Sequence, residues 1–326
     1  MLIFYHLIPE NTFVILEGMK QYQLPEKGGH IVSYSLHGNP SGPTIVSFHG
    51  GPGSKSKPYH ADRYDLEKYQ VILFDQRGCG ESTPLGSLEQ NTTDELLADT
   101  ERIREALDIE SWFVSGGSWG STLALLYAIK YPERTKGLLI SAVFLADRDS
   151  ISWAMGERGA ATLMPDIWDR RMKFFDEFDI KLETQNEDIL RLLEKGDLET
   201  QKKVTAGVYD WEGNLFSPQS SVSYNNPEDL TEKDIASAKI FVYYEKNKEF
   251  IPEHFILDNI QKIANIPTVI VHGRYDILCP MEKAKMLADK ITNCALVVAT
   301  SSGHMLSPEG KTIQYLAYDR FLSENT

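Results

Sequence analysis

Cysteine is scarce in this chain: Cys79, Cys279 and Cys294 are the only three among 326 residues. An odd three cannot build a disulfide framework, and their spacing lacks the close pairs of a structural zinc site. A reducing, cytoplasmic setting is expected. Basic residues are also in deficit, 33 against 47 acidic ones, for a net charge of −14. Such a surface repels nucleic acid and anionic lipid, so neither is expected as a partner. No run approaches the ~18 apolar residues of a membrane span. The apolar stretch Met1 to Glu10 has no basic leader and no small-residue cleavage site, so a signal peptide is not expected there. The first dozen residues read either as an edge strand or as an upstream extension. Internal repeats and low-complexity segments are missing too.

What remains is an ordinary globular composition, 42% hydrophobic and 25% charged, with length for one or two domains. Residues 30–37 alternate apolar and polar, as a strand with one solvated face does. Thr44–Phe48, Val71–Asp75, Trp112–Val114 and Gly137–Phe144 are short apolar runs, each read as a buried strand. Between them, 92–107 has a helical stripe of Leu96, Leu97, Ile103 and Leu107 with acidic residues in its first turn. A second helix, 121–131, stops at Pro132. Alternating strands and helices indicate a mostly parallel sheet covered on both faces. From Asp147 to about Ala264 the pattern breaks into charged, aromatic-rich sequence with candidate helices at 166–179, 186–195 and 231–246. Strands at 266–271 and 295–299 and a helix near 309–323 resume the sheet. The expected fold is α/β, with a core of 1–146 and 266–326 and an inserted helical cap of 147–265 over the strand ends, where such sheets bind ligands.

The chemistry centres on Gly116-Gly117-Ser118-Trp119-Gly120, between a strand and a helix. This is the G-x-S-x-G pattern, in which a sharp turn lifts a serine hydroxyl above the sheet. Chance supplies three such fixed positions in about one chain in ten of this length, so the surroundings must decide. A serine needs a base to take its proton and an acid to orient that base. The expected order is serine, carboxylate, histidine. Asp276 follows a late strand, and of eight histidines only His304 lies beyond it. Asp147, after the strand ending at Phe144, is the rival acid. A tetrahedral intermediate needs N–H donors. The candidates are Trp119, directly after the serine, and Gly51, in the glycine loop His49-Gly50-Gly51-Pro52-Gly53. That loop is no phosphate cradle, because Lys55 does not directly follow a glycine; Gly78-x-Gly80 has Thr83 at the third glycine position. No H-E-x-x-H or comparable metal spacing occurs, so neither cofactor nor metal is expected.

With these residues in place, the chain resembles the prolyl aminopeptidases (proline iminopeptidases) of the α/β-hydrolase superfamily. The matching blocks are residues 49–53, 75–84 (Asp-Gln-Arg-Gly-Cys-Gly-Glu-Ser-Thr-Pro), 116–125 and 266–276, and coverage runs from about 20 to 320. The resemblance implies an α/β-hydrolase fold and release of an N-terminal amino acid, preferentially proline, from short peptides or aminoacyl substrates through an acyl-enzyme on Ser118. It also implies that carboxylates from the cap hold the substrate's ammonium, and Glu212 matches one of them. Where a second is expected, within Ala238-Lys239-Ile240-Phe241, this chain has Phe241. Glu245, one helical turn later on the same face, could supply the missing carboxylate. Cys279 reads either as a residue near the site or as a buried free thiol. Two other readings stay open: a carboxylesterase, amidase or lactonase that no longer reads the amine, and a non-catalytic binding protein.

Overall fold

The computed structural model of the protein describes residues 14–16, 19–216 and 226–326. The question of what residues 1–12 form lies outside them. The described strands are β1 (Val14–Leu16), β2 (Met19–Gln23), β3 (Ser33–Gly38), β4 (Thr44–Phe48), β5 (Gln70–Phe74), β6 (Trp112–Ser118), β7 (Thr135–Val143), β8 (Thr268–Gly273) and β9 (Cys294–Ala299). They form one sheet in the order β1-β2-β3-β5-β4-β6-β7-β8-β9. The pairings β1–β2, β2–β3 and β3–β5 are antiparallel, and every other pairing is parallel.

The apolar runs are continuous because both faces of the sheet are covered. Side chains alternate between the faces with period two. Ile45, Val71, Leu73, Phe113, Leu139, Val269 and Val271 pack on one side against Tyr318, Phe321 and Leu322. Val46, Phe48, Ile72, Phe74, Val114, Leu138, Ile140 and Ile270 face the other side. There they meet α1 (Thr93–Ala106) and α2 (Trp119–Lys130), whose Leu96, Ile103, Leu123 and Tyr127 are buried. The strand at 30–37 and the helix at 92–107 thus settle within a few residues of their expected places.

Between β7 and β8 the described chain is helical: α3 (Arg148–Met155), α4 (Ala160–Leu163), α5 (Pro165–Glu177), α6 (Gln185–Lys195), α7 (Leu198–Phe216), α8 (Glu232–Lys246) and α9 (Phe255–Asp258), with short 3-10 turns. After β8 come α10 (Met281–Ala288) and, following β9, α11 (Pro308–Asn325). The candidate helices at 166–179, 186–195 and 231–246 correspond to α5, α6 and α8. The 19-residue α7 was not among them. Its stripe of Val204, Val208, Trp211 and Leu215 has helical spacing, but Gly207 and Gly213 lower helix propensity by about 1 kcal/mol each relative to alanine. Tertiary packing overrides that cost. A methyl on Gly207 would sit 2.6 Å from the Phe174 ring of α5, so the glycine lets the two helices close together.

The insertion has apolar clusters of its own, but α8 also reaches into the main core through Ile240 and Tyr244. The Tyr244 ring stands edge-on to Trp119 at 5.3 Å, and its hydroxyl donates to Asn91 at 2.9 Å. Close docking of α8 explains Gly53, the last glycine of the 49–53 loop. Its φ is +89°, and a Cβ there would lie 2.3 Å from the Ser237 carbonyl oxygen. We therefore expect Gly53→Ala to push α8 outward and to cost about 1–3 kcal/mol. A thermal denaturation midpoint equal to that of the natural protein would refute this account of the loop.

Candidate functional site

Ser118 is the last residue of β6 and the cap of α2, with φ 59° and ψ −130°. A non-glycine residue there is strained by about 1–3 kcal/mol, a cost that surrounding contacts must hold in place. Those contacts need bare backbone on either side. A Cβ on Gly116 would meet the Gly120 carbonyl oxygen at 1.9 Å, and one on Gly120 would meet the Phe48 oxygen at 2.3 Å. The turn is tied to the end of β7 by Ser121, whose hydroxyl donates to the Ser118 carbonyl at 2.6 Å and accepts from the Phe144 N–H at 3.0 Å.

Asp276 follows β8 and His304 follows β9, and the fold brings them together. His304 Nδ1 lies 3.1 and 3.0 Å from the two Asp276 oxygens. The Cys279 N–H donates to Asp276 Oδ1 at 2.7 Å. The end of α7 grips the histidine loop: the Phe216 ring packs on the imidazole at 4.8 Å, and its carbonyl accepts from the Met305 N–H at 3.1 Å. The rival Asp147 is engaged elsewhere. It caps α3, accepting from Ser150 N at 2.8 Å, and pairs with Lys283 at 2.8 Å. Burial pushes the Asp147 pKa up, but the Lys283 and Ser150 bonds outweigh it and leave the group below its ordinary value.

Another histidine, His272, lies 3.7 Å from Asp276 but has a different task. Its Nδ1 accepts from the Val143 N–H at 3.1 Å, so the proton sits on Nε2, which donates to the Cys279 carbonyl at 2.9 Å. Burial lowers its pKa, which keeps the ring neutral and its bonds fixed. His272 thus braces the Asp276–Cys279 turn.

The glycine loop is braced in a similar way, by residues of the 49–53 and 75–84 blocks whose bracing role the motifs did not reveal. Gln76 N–H donates to His49 Nε2 at 3.1 Å, and the Gln76 amide donates to the His49 carbonyl at 3.0 Å. The amide oxygen of Gln76 accepts from Trp119 Nε1 at 3.0 Å. One glutamine therefore sets the glycine loop against the head of α2. Gly51 lines the cavity beside Ser118, and Trp119 is the first residue of α2, where N–H groups have no intrahelical acceptor. The neighbouring Arg77 is buried in an ion pair with Asp99 at 2.6 Å and anchors its loop to α1. Several residues of the 75–84 block are thus structural.

A partly open cavity lies above Ser118. Apolar side chains, among them Phe144, Ile151, Met155, Phe241 and Leu278, form much of its wall. Glu212 of α7 and Glu245 of α8 also line it, so both expected carboxylates face the space over the serine. A third, Glu249, lines it too. Reading motifs missed Glu249, although it follows Glu245 by four residues as Glu245 follows Phe241. Burial pushes the Glu212 carboxyl up to about 8, with the Glu245 charge adding to the effect. It raises Glu245 to about 7. Arg171 opposes both shifts. This guanidinium lies in an adjoining cavity with Glu212, Phe241 and Glu245, packed against the rings of Phe175 and Trp211 at 5.2 Å each.

Asp276, Cys279 and His304 also offer potential ligand atoms within 4.8 Å of one another. They suit a hydrogen-bonded chain better than a metal. The Cys279 N–H and the His304 ring already engage the Asp276 oxygens, and burial pushes the Cys279 thiol well up, so it keeps its proton.

A family model described as the alpha/beta hydrolase fold matches residues 43–311. A protein of Xylella fastidiosa (strain 9a5c) named proline iminopeptidase is 38% identical, across 90% of this chain and 93% of its own length. One of the same name from Arabidopsis thaliana is 36% identical, across 86% of this chain and 74% of its own. Among solved structures, an alpha/beta fold family hydrolase from Bacillus anthracis str. Sterne superposes with a TM-score of 0.61. It is 19% identical over 94% of this chain and 99% of its own, a likeness of fold alone.

Two expectations follow from the geometry. With the expected order of serine, acid and base, Asp276→Asn should lower kcat by about 10⁴-fold. Asp147→Asn should lower stability and leave kcat within about threefold; the reverse ranking would make Asp147 the acid. The second concerns pH. Glu212 holds a proton in the fold up to about pH 8, against an ordinary value of 4.5. Its contribution to stability is full below the ordinary value and is lost as pH rises through 8. Glu212→Gln cannot ionise, so its melting temperature should gain on that of the natural protein between pH 5 and 9. A difference that does not vary with pH would contradict the buried position of this carboxyl.

Proposed function

This chain belongs to the proline iminopeptidase family of the α/β-hydrolase fold, and from that premise we propose that it is a serine aminopeptidase releasing an N-terminal residue, preferentially proline, from short peptides. One observation carries the reading: the strained Ser118 opens onto the same cavity as Glu212 and Glu245. In this reading His304, oriented by Asp276, takes the Ser118 proton as Oγ attacks the carbonyl carbon. The N–H groups of Gly51 and Trp119 receive the oxyanion. His304 then protonates the leaving amine, and water attacks the acyl-enzyme by the same route in reverse.

Residues 147–265 serve as a cap that limits the cavity to an end of a chain. The substrate's ammonium lies against the cap carboxylates, and its charge favours their ionised forms. Each charge-assisted hydrogen bond of that kind is worth about 1.5–3 kcal/mol, or roughly ten- to a hundredfold in kcat/KM. Cytoplasmic placement is part of the reading, with Cys79 and Cys279 buried as free thiols. Among the described residues no helix is long and apolar enough to cross a membrane.

The apolar wall with Phe144 and Phe241 favours a second reading, an esterase, amidase or lactonase indifferent to the amine. A panel of aminoacyl-arylamides and esters, each with the amine free and blocked, separates the two. We expect prolyl-arylamide hydrolysis with a preference for the free amine, lost by about 10⁴-fold or more in Ser118→Ala. Equal turnover of free and blocked substrates would favour the second reading.

A further inference from the structure

Glu249 lies just beyond α8, in a turn where Lys248, Glu249 and Phe250 have φ of 52°, 52° and 56°. Three consecutive non-glycine residues in the left-handed region cost energy that glycine would avoid. The turn is held by its neighbours. The Thr93 hydroxyl donates to the Glu249 carbonyl, and the Phe250 ring packs on Tyr243 and Tyr244 at 5.4 and 5.3 Å. So held, the turn places Glu249 among the residues lining the cavity that contains Ser118. The residue is only 1% exposed, and among the described residues its Oε2 has no hydrogen-bond partner. A buried carboxyl oxygen without a partner is costly, and an ammonium ligand, which favours the ionised form and brings an N–H, removes that cost.

The charges in the two adjoining cavities point the same way. Glu212, Glu245 and Glu249 supply three carboxyls against one guanidinium. That guanidinium, Arg171, sits with Glu212 and Glu245. The groups acting on Glu249 are burial, which pushes its carboxyl up to about 9, and the charge of Glu245, which adds to the shift. A cation entering above Ser118 would therefore find Glu249 the least satisfied of the three.

We propose that Glu249 is a specificity-determining residue, the third acceptor for the substrate's ammonium beside Glu212 and Glu245. This rests on the aminopeptidase reading and narrows its substrate class. A primary ammonium has three N–H donors, whereas the ammonium of an N-terminal proline has two. Three acceptors match the former. The site accordingly takes N-terminal residues with a primary amine and an apolar side chain, in addition to proline.

The test compares alanyl- and prolyl-arylamides, free and N-acetylated, on the natural protein, Glu249→Gln and Glu249→Gly. Loss of one charge-assisted hydrogen bond should lower kcat/KM for the free alanyl substrate roughly 10- to 100-fold, chiefly through KM. The prolyl substrate should lose less, so the alanyl-to-prolyl ratio falls. Glycine tolerates the turn, so Glu249→Gly should show the same ratio with a melting temperature raised by about 2 °C, which separates the effect from unfolding. Unchanged alanyl-to-prolyl and free-to-acetylated ratios in both variants would overturn the proposal. A further arm uses ethylammonium to slow phosphonate labelling of Ser118. Suppose the natural protein cleaves only esters, yet ethylammonium protects it and not Glu249→Gln. The amine site then stands and the aminopeptidase reading falls. No protection of the natural protein would overturn the Glu249 assignment itself.

Discussion

The arrangement depends on how α8 is seated across the loops that follow β4 and β5. Ile240 and Tyr244 enter the main core, Gly53 leaves room for the Ser237 backbone, and the Tyr244 hydroxyl bonds to Asn91. Asn91 in turn donates to the Arg77 carbonyl at 3.0 Å, and Arg77 is fixed by Asp99. That chain of contacts runs from the helical insertion to α1 through the loop between β5 and α1. It sets the height of Phe241, Glu245 and Glu249 above Ser118. A helix seated a few ångströms higher would leave the same serine turn under an open surface with no counter-wall.

Below that wall, the proposed reaction divides the sheet edge between groups that move protons and groups that hold them still. His304 and Asp276 face each other, while His272, Gln76 and the Cys279 N–H have all their partners within the protein. Burial keeps His49 and His272 below their ordinary pKa, so neither ring competes for a proton. The cap has the opposite economy. Its three carboxyls are raised by desolvation, and Arg171 opposes the shift at Glu212 and Glu245 but not at Glu249, so acidic groups outnumber the guanidinium around this cavity. A cation is the natural complement of such a space.

Much of this was legible from the residues. The strands at 44–48 and 71–75 and the helices at 92–107, 166–179, 186–195 and 231–246 announced themselves, since buried parallel strands and amphipathic helices leave strong local patterns. Strand order also carried Ser118, Asp276 and His304 to one edge. The long α7 was harder to see, because its two glycines weaken the local signal that Phe174 and its neighbours override. Gln76 and His272 were invisible as braces, because a brace is defined by what it touches.

The amino-acid sequence by itself determined the parallel sheet, the serine turn and the order of the candidate acid and base, because each follows from local periodicity or from residues at short spacing. It also placed Glu245 on the face of α8 that Phe241 occupies. Only the tertiary structure decided that Asp147 is held by Lys283 while Asp276 faces His304, since both follow strands and differ only in their neighbours. It alone brought Glu249 to the cavity, because the helix ends at Lys246 and a left-handed turn, held by Thr93 and two tyrosine rings, redirects the next side chains. Helical periodicity stops where the helix does. Beyond it, packing between distant parts of the chain sets where a carboxylate points.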